Sequence, residues 1–179
     1  MINKSKKGFT LIELLVVIAI IGLLSTLAVV ALGSARAKGR DARRIADVKQ
    51  YQTALEIFYA DWGFYPSDDG VLGEDNICLV ADSADDAGFK EADDCSGAWS
   101  QTYIKSIQSA PTPPTDAAYK YTYTGVTCTD GKCDSYKIEF ALESPMQGLS
   151  GGTVIEATPE GIKDTGEEAG GSSGGEGEE

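Results

Sequence analysis

Few residues of this chain have the types and spacing that catalysis requires. None of its 179 residues is a histidine, the side chain that most often acts as a general base. The segment from Gly148 to Gly152 fits the GxSxG pattern of serine hydrolases, but no histidine can activate Ser150, and no strand-turn-helix frame surrounds it. No glycine motif for phosphate binding is present. We therefore expect that the protein is not an enzyme and has no catalytic residues.

The four cysteines are better suited to cross-linking than to metal binding. Neither of their spacings is the CxxC type that zinc sites use. Cys128 and Cys133 flank an Asp-Gly pair, which is a hairpin turn signal, so a local disulfide is favoured. Cys78 would then pair with Cys95, although three pairings remain formally open. Disulfides predict an oxidising compartment outside the cytoplasm.

Acidic residues dominate the middle of the chain. Eleven acids and one lysine lie between Asp61 and Asp94, but their spacing is not that of an EF-hand. A solvated acidic surface is favoured, and we expect no metal site and no cofactor, with Ca²⁺ kept as the alternative. The net charge of −13 would repel phosphates, so we expect no general affinity for nucleic acids.

One acid, Glu13, stands alone in an apolar run of 24 residues from Phe9 to Leu32. As a helix this run would be ~36 Å long, enough to cross a hydrocarbon core of ~30 Å. A secretory signal peptide would have a shorter apolar region of roughly 7–15 residues. An ordinary membrane anchor is long enough, but it explains neither the Lys-Lys-Gly-Phe sequence before the run nor a charged residue inside it.

The sequence Lys6-Lys7-Gly8-Phe9-Thr10-Leu11-Ile12-Glu13-Leu14-Leu15-Val16-Val17 resembles the prepilin signal of type IV pilins and type II secretion pseudopilins. The resemblance implies that a dedicated peptidase cuts between Gly8 and Phe9. It also implies that Phe9 becomes N-methylated and that Glu13 is the family's key acid for assembly. Removing residues 1–8 removes three lysines, so the mature net charge would be 12 − 28 = −16.

Periodicity along the rest of the chain predicts an α+β fold. Apolar residues recur at helical spacing from Ile45 to Tyr59 and predict an amphipathic helix that packs on a sheet. Alternation over 119–124 and 135–142 predicts strands, with a third over 153–157, whereas 67–98 is loop-rich. We therefore predict a pilin fold with a leader (1–8), a long N-terminal helix (9–60, membrane-spanning over 9–32), a head with a small antiparallel sheet (61–163) and a disordered acidic tail (164–179).

The two sides of the apolar run give conflicting indications of topology. Three lysines precede the run, and five basic residues follow it between Arg36 and Arg44, so a positive-inside count favours a cytoplasmic head. The prepilin resemblance and the cysteines both favour a head outside. We expect a single-pass protein of the inner membrane with its N-terminus in the cytoplasm, and after assembly an extracellular pilus or a periplasmic pseudopilus.

The resemblance implies a structural subunit of a type IV pilus or a type II secretion pseudopilus. The alternative is a minor or tip pilin that binds DNA, a surface or a secretion substrate. Expected partners are other copies of the chain and related pilins, the prepilin peptidase and methyltransferase, the assembly platform with its ATPase, and the lipid bilayer. The matching segment is common to pili and pseudopili, so it does not separate them.

Overall fold

The first element of the fold is α1, a helix of 52 residues from Leu11 to Trp62. A computed structural model describes residues 9–67, 70–72, 77–91, 94–114 and 117–169, and the predicted leader lies outside them. The chain divides into two units, Met1–Ala37 and Lys38–Glu179. The prediction of one long N-terminal helix is confirmed, with its end two residues beyond the predicted position 60.

In the first unit, α1 buries none of its large apolar side chains. Leu11 is 80% exposed, Leu14 60% and Leu27 63%. This helix is long and apolar enough to cross a membrane. The core helix of a soluble protein or a signal sequence can meet the same two criteria. The most apolar part of α1 is not buried in the protein, so it is not a core helix of this fold.

In the second unit, one face of α1 is buried in the core. Ile45, Val48, Leu55 and Phe58 are each at most 3% exposed, as their spacing of three and four predicts. Tyr59 differs from the prediction because it is 40% exposed, although its ring stacks on that of the buried Tyr65. The helix ends at Trp62 because the next residue is Gly63, which has φ +77° and donates its N–H to the carbonyl of Tyr59 at 2.7 Å.

In the part of the chain that the structure describes, nine strands follow α1 in two antiparallel sheets. They are β1 (Tyr65–Pro66), β2 (Gly70–Leu72), β3 (Cys78–Ser83), β4 (Asp86–Lys90), β5 (Gln101–Ile104), β6 (Tyr121–Thr129), β7 (Lys132–Ala141), β8 (Thr153–Thr158) and β9 (Gly161–Glu168). The larger sheet has the order β2-β6-β7-β8-β9, and β1 pairs with β7. The smaller sheet has the order β4-β3-β5. The α+β fold class is therefore confirmed.

The β6–β7 hairpin has the two-residue turn that its sequence predicts. Asp130 and Gly131 have φ values of 51° and 78°, which is the left-handed geometry of a type I′ turn. Cys128 lies directly opposite Cys133, and the two form a disulfide.

Strands β3 and β4 of the smaller sheet, like β2 of the larger one, lie within 67–98, the segment predicted to be loop-rich, and that prediction was wrong for them. Residues 78–81 form a short apolar run that is almost completely buried, which is enough for a central strand. The surrounding Asp, Gly and Ser residues hid this signal. A second disulfide joins Cys78 on β3 to Cys95 in the 3₁₀ helix Asp94–Ser96. Both disulfides join the cysteines that the sequence analysis pairs.

The predicted tail begins too early, because residues 164–168 belong to β9. This edge strand needs few apolar residues, since its backbone pairs with β8. In addition, Asp164 accepts the backbone N–H of Ser150 at 2.8 Å. Residues 170–179 lie outside the described part of the chain, so the rest of the tail stays a prediction.

Candidate processing and assembly site

The N-terminus of α1 is closed by a reciprocal pair of side chains. Thr10 is the N-cap residue, and its carbonyl accepts the first helical hydrogen bond, from the N–H of Leu14 at 3.3 Å. Its Oγ accepts the N–H of Glu13 at 3.3 Å and donates to Glu13 Oε2 at 2.6 Å. Glu13 Oε2 also accepts the backbone N–H of Thr10 at 2.8 Å. This arrangement is a capping box.

The capping box changes the interpretation of Glu13. Sequence analysis treated its carboxylate as a lone charge in an apolar run, but the structure gives it two donors within its own chain. Thr10 was overlooked, although a Thr followed three residues later by Glu is a readable signal for a helix start. Gly8 lies outside the described residues. Cleavage before Phe9 and methylation of Phe9 therefore remain predictions, as does pairing of Glu13 with a cleaved N-terminus.

A second polar cluster lies in the head, at the first buried turn of α1. We call its four side chains, Arg40, Asp41, Arg44 and Glu143, the ionic clamp. The side chains of Asp41 and Arg44 are 0% exposed, and Arg44 Nη1 lies 2.8 Å from Asp41 Oδ1 and 2.8 Å from Glu143 Oε1. Arg40 makes two hydrogen bonds to the Glu143 carboxylate, Nε–Oε1 at 2.7 Å and Nη2–Oε2 at 2.5 Å. Two positive and two negative charges make the clamp neutral as a whole.

The clamp also holds two distant loops by their backbones. Asp41 accepts the N–H groups of Glu143 and Ser144, each at 2.9 Å. Arg44 Nη2 donates to the carbonyls of Pro111 at 2.6 Å and Pro113 at 3.3 Å. Within the described part of the chain, Arg44 Nε is the one buried side-chain nitrogen or oxygen atom without a hydrogen-bond partner. The arrangement fixes the start of the packed half of α1 against the head.

Hydrogen bonds within the clamp favour the charged forms of Arg40 and Glu143, its two partly exposed side chains. The hydrogen bonds from Arg40 are the main cause that lowers the pKa of Glu143 below its ordinary value, and those from Arg44 add to it. In turn, Glu143 raises the pKa of Arg40. Sequence analysis counted Arg40 and Arg44 only as basic residues after the apolar run. The missed signal was that Asp41 and Arg44 share the helix face of Ile45 and Val48.

No metal site is apparent among the ranges that the structure describes. In those ranges no three Asp, Glu or Cys side chains are grouped closely enough to hold a metal ion.

The fold and the N-terminal segment define a pilin-like class of protein. The first part of α1 is apolar and exposed, and its second part packs on antiparallel strands in a head with two disulfides. The family described as the prokaryotic N-terminal methylation motif matches residues 3–33, which include the whole capping box.

The chain is similar over part of its length to known pilins and pseudopilins. It is 35% identical over 71 residues to the type IV major pilin protein PilE of Neisseria gonorrhoeae, covering 40% of this chain and 42% of that protein. It is 36% identical over 62 residues to the type II secretion system core protein G of Pectobacterium carotovorum subsp. carotovorum, covering 35% and 40%. It is 25% identical over 130 residues to the type IV major fimbrial protein FimA of Dichelobacter nodosus, covering 73% of this chain and 64% of that protein.

These findings confirm the predicted resemblance to type IV pilins and type II secretion pseudopilins. The match spans less than half the length of PilE and of core protein G. No solved structure matches the chain.

Proposed function

We propose that this chain is a structural subunit of a type IV pilus or of a type II secretion pseudopilus. It is made as a precursor, cut between Gly8 and Phe9, methylated at Phe9 and assembled through α1, and it catalyses no reaction itself. The observation that carries this proposal is the methylation motif over residues 3–33, placed on a helix whose apolar side chains are exposed. Such a surface needs lipid or other helices around it.

Glu13 pairs with the new N-terminus of another subunit. Cleavage creates an ammonium group on Phe9, and an ammonium is a stronger donor to a carboxylate than the neutral N–H and O–H groups of Thr10. In an apolar surrounding, the pair forms at one helix register, because a shifted register leaves both charges without a partner. Packing of the apolar side chains supplies cohesion, and Glu13 supplies the register.

The head lies outside the cytoplasm. The two disulfides support this side of the membrane, whereas the positive-inside count opposes it. Of the basic residues that follow the apolar run, Arg40 pairs with Glu143, Arg44 with Asp41, and Arg43 lies 3.7 Å from Asp47. Once the head has folded, these three cations are neutralised within it.

The partners of the chain follow from this role. Other copies and related pilins surround α1 in the filament, and the lipid bilayer surrounds it before assembly. The prepilin peptidase and methyltransferase act at Gly8 and Phe9, and an assembly platform with its ATPase moves subunits out of the membrane.

Processing is tested by intact mass and N-terminal sequencing of the protein from membranes. We expect a chain that begins at Phe9 and carries one additional methyl group on its amine. The variant Gly8→Leu should remain uncut. A retained leader, or a cut after residue 25 or beyond, would contradict the proposal.

Assembly is tested by comparing Glu13→Val with Thr10→Val in sheared filament fractions and by electron microscopy. Glu13→Val should be inserted and cleaved normally but should stay in the membrane, because it has no charge to pair with. Thr10→Val removes only the hydroxyl of the capping box, so it should assemble better than Glu13→Val. Abundant filaments of normal helical symmetry from Glu13→Val would show that the carboxylate is dispensable.

A further inference from the structure

We propose that the ionic clamp is a helix stop: α1 opens locally over residues 33–39, and the clamp keeps that opening from passing Arg40. This inference rests on the helix and the head, and it does not depend on the proposed role in a filament.

The segment 33–39 has the features of a weak stretch of helix. Its sequence, Gly-Ser-Ala-Arg-Ala-Lys-Gly, begins directly after the apolar run and contains two glycines within seven residues. Glycine is unfavourable inside a helix because it loses the most backbone freedom on folding. An added Cβ at Gly33 or Gly39 would meet nothing within 4 Å, so close packing does not explain either glycine. Few contacts outside the helix therefore oppose opening here.

From Arg40 onward, the helix backbone is stabilised by contacts with the head. Asp41 is the first buried residue of α1, and it accepts hydrogen bonds from Glu143 and Ser144, more than 100 positions further along the chain. Opening the turn at 40–44 would take both Asp41 and Arg44 away from these partners. Buried charges without partners are strongly unfavourable, so this turn opens only when the loops at 111–113 and 143–144 also separate from it.

The weak segment 33–39 and the ionic clamp are directly adjacent along the chain. The stretch with few contacts ends at Gly39, and the clamp begins at Arg40. A helix that is opened or bent over 33–39 therefore leaves the packed half of α1 and the head unchanged. This property lets the N-terminal part of the chain adjust while the head stays folded.

The test is amide hydrogen exchange at single-residue resolution on the full chain in detergent micelles. We expect amides of 34–39 to exchange about a hundredfold faster than those of 41–46, because local opening exposes the first group and clamp release is needed for the second. Rates within about threefold of each other in the two groups would overturn the proposal.

Glu143→Gln tests the clamp, and Glu156→Gln is its matched control. Both variants remove one carboxylate from the head, but Glu156 pairs with the exposed Lys163 at 3.2 Å on the larger sheet. Glu143→Gln should accelerate exchange at 41–46 about tenfold and leave the amides of β7 and β8 unchanged, whereas Glu156→Gln should change neither group. Equal acceleration at 41–46 and throughout the sheet would overturn the proposal, because the clamp would then only add to global stability.

Two further variants keep the test decisive if Glu143→Gln does not fold. Arg40→Gln changes a clamp side chain that is 23% exposed, and it should give the same local acceleration. The double variant Gly33→Ala with Gly39→Ala should slow exchange at 34–39 several-fold and leave 41–46 unchanged. No slowing at 34–39 would overturn the assignment of the weak segment.

Discussion

Replacing Asp41 by alanine should destabilise the head more than any single change of a surface charge. The substitution removes one of the two acceptors for Arg44 Nη1 and the acceptor for the N–H groups of Glu143 and Ser144. It leaves the clamp with two cations and one carboxylate, and Arg44 is fully buried. Removing one partner of a buried ion pair costs about 3–5 kcal/mol, a large share of the ~5–15 kcal/mol that stabilises a typical protein.

The expected loss corresponds to a fall in Tm of roughly 10–15 °C for a protein of this size. Thermal unfolding of the full chain in micelles, followed by near-ultraviolet circular dichroism, reports on the head, because the aromatic core and both disulfides lie there. Glu156→Ala is the control. Its partner is exposed, so its loss should stay below about 1 kcal/mol.

A double variant distinguishes the cost of excess buried positive charge at Arg44 from the cost of lost packing. Asp41→Leu combined with Arg44→Met removes both buried charges and fills part of the space, so it should recover part of the Tm lost in Asp41→Ala. A Tm for Asp41→Ala within about 2 °C of the native protein would refute the reasoning, as would a fall no larger than that of Glu156→Ala.

Four further predictions concern the pH dependence of stability, two glycines and the cysteines. The Tm difference between the native protein and Glu143→Gln should shrink on acidification, because the pKa of Glu143 is lowered in the fold. The contribution of Glu143 to stability is fully present above its ordinary pKa of 4.5. That contribution is lost as the pH falls through the lowered pKa. A difference that is unchanged from pH 7 to pH 3 would contradict this. Gly125→Ala should cost about 1–3 kcal/mol, since its Cβ would lie 2.5 Å from Cys133 Sγ and 3.0 Å from the carbonyl oxygen of Pro66. Gly39→Ala, which meets nothing within 4 Å, should be neutral or stabilising by up to about 1 kcal/mol in the same melting experiment. Non-reducing peptide mapping of exported protein should recover the pairs Cys78–Cys95 and Cys128–Cys133, and four free thiols would argue against both the pairing and the compartment.

The elements that were predictable from the sequence are those with local signals. The period of three and four from Ile45 to Phe58 gives the packed half of α1, and alternation on either side of an Asp-Gly pair gives the β6–β7 hairpin. Each signal needs only neighbouring residues. The end of α1 is likewise set by Gly63, directly after its last residue.

The elements that were missed lack a local apolar signal or depend on partners far along the chain. Strand β9 has almost no apolar residues, and it is a strand because β8 lies beside it. The clamp joins Arg40 and Arg44 to Glu143 across 103 and 99 positions, and composition gives no indication of that pairing. At the N-terminus, Glu13 was singled out without its hydrogen bonds to Thr10, and its role in assembly stays a prediction.

The hydrogen bonds of Glu13 within its own chain have a consequence for disassembly. In the proposed filament, a subunit that leaves would not return a bare carboxylate to the membrane, because the N–H and O–H of Thr10 can bind it again at 2.8 and 2.6 Å. The difference in free energy between the free and the assembled carboxylate is therefore smaller than for a charge without local donors. In the proposed filament, a subunit contact of this kind can be made and broken repeatedly, so the same residue that sets the register also keeps assembly reversible.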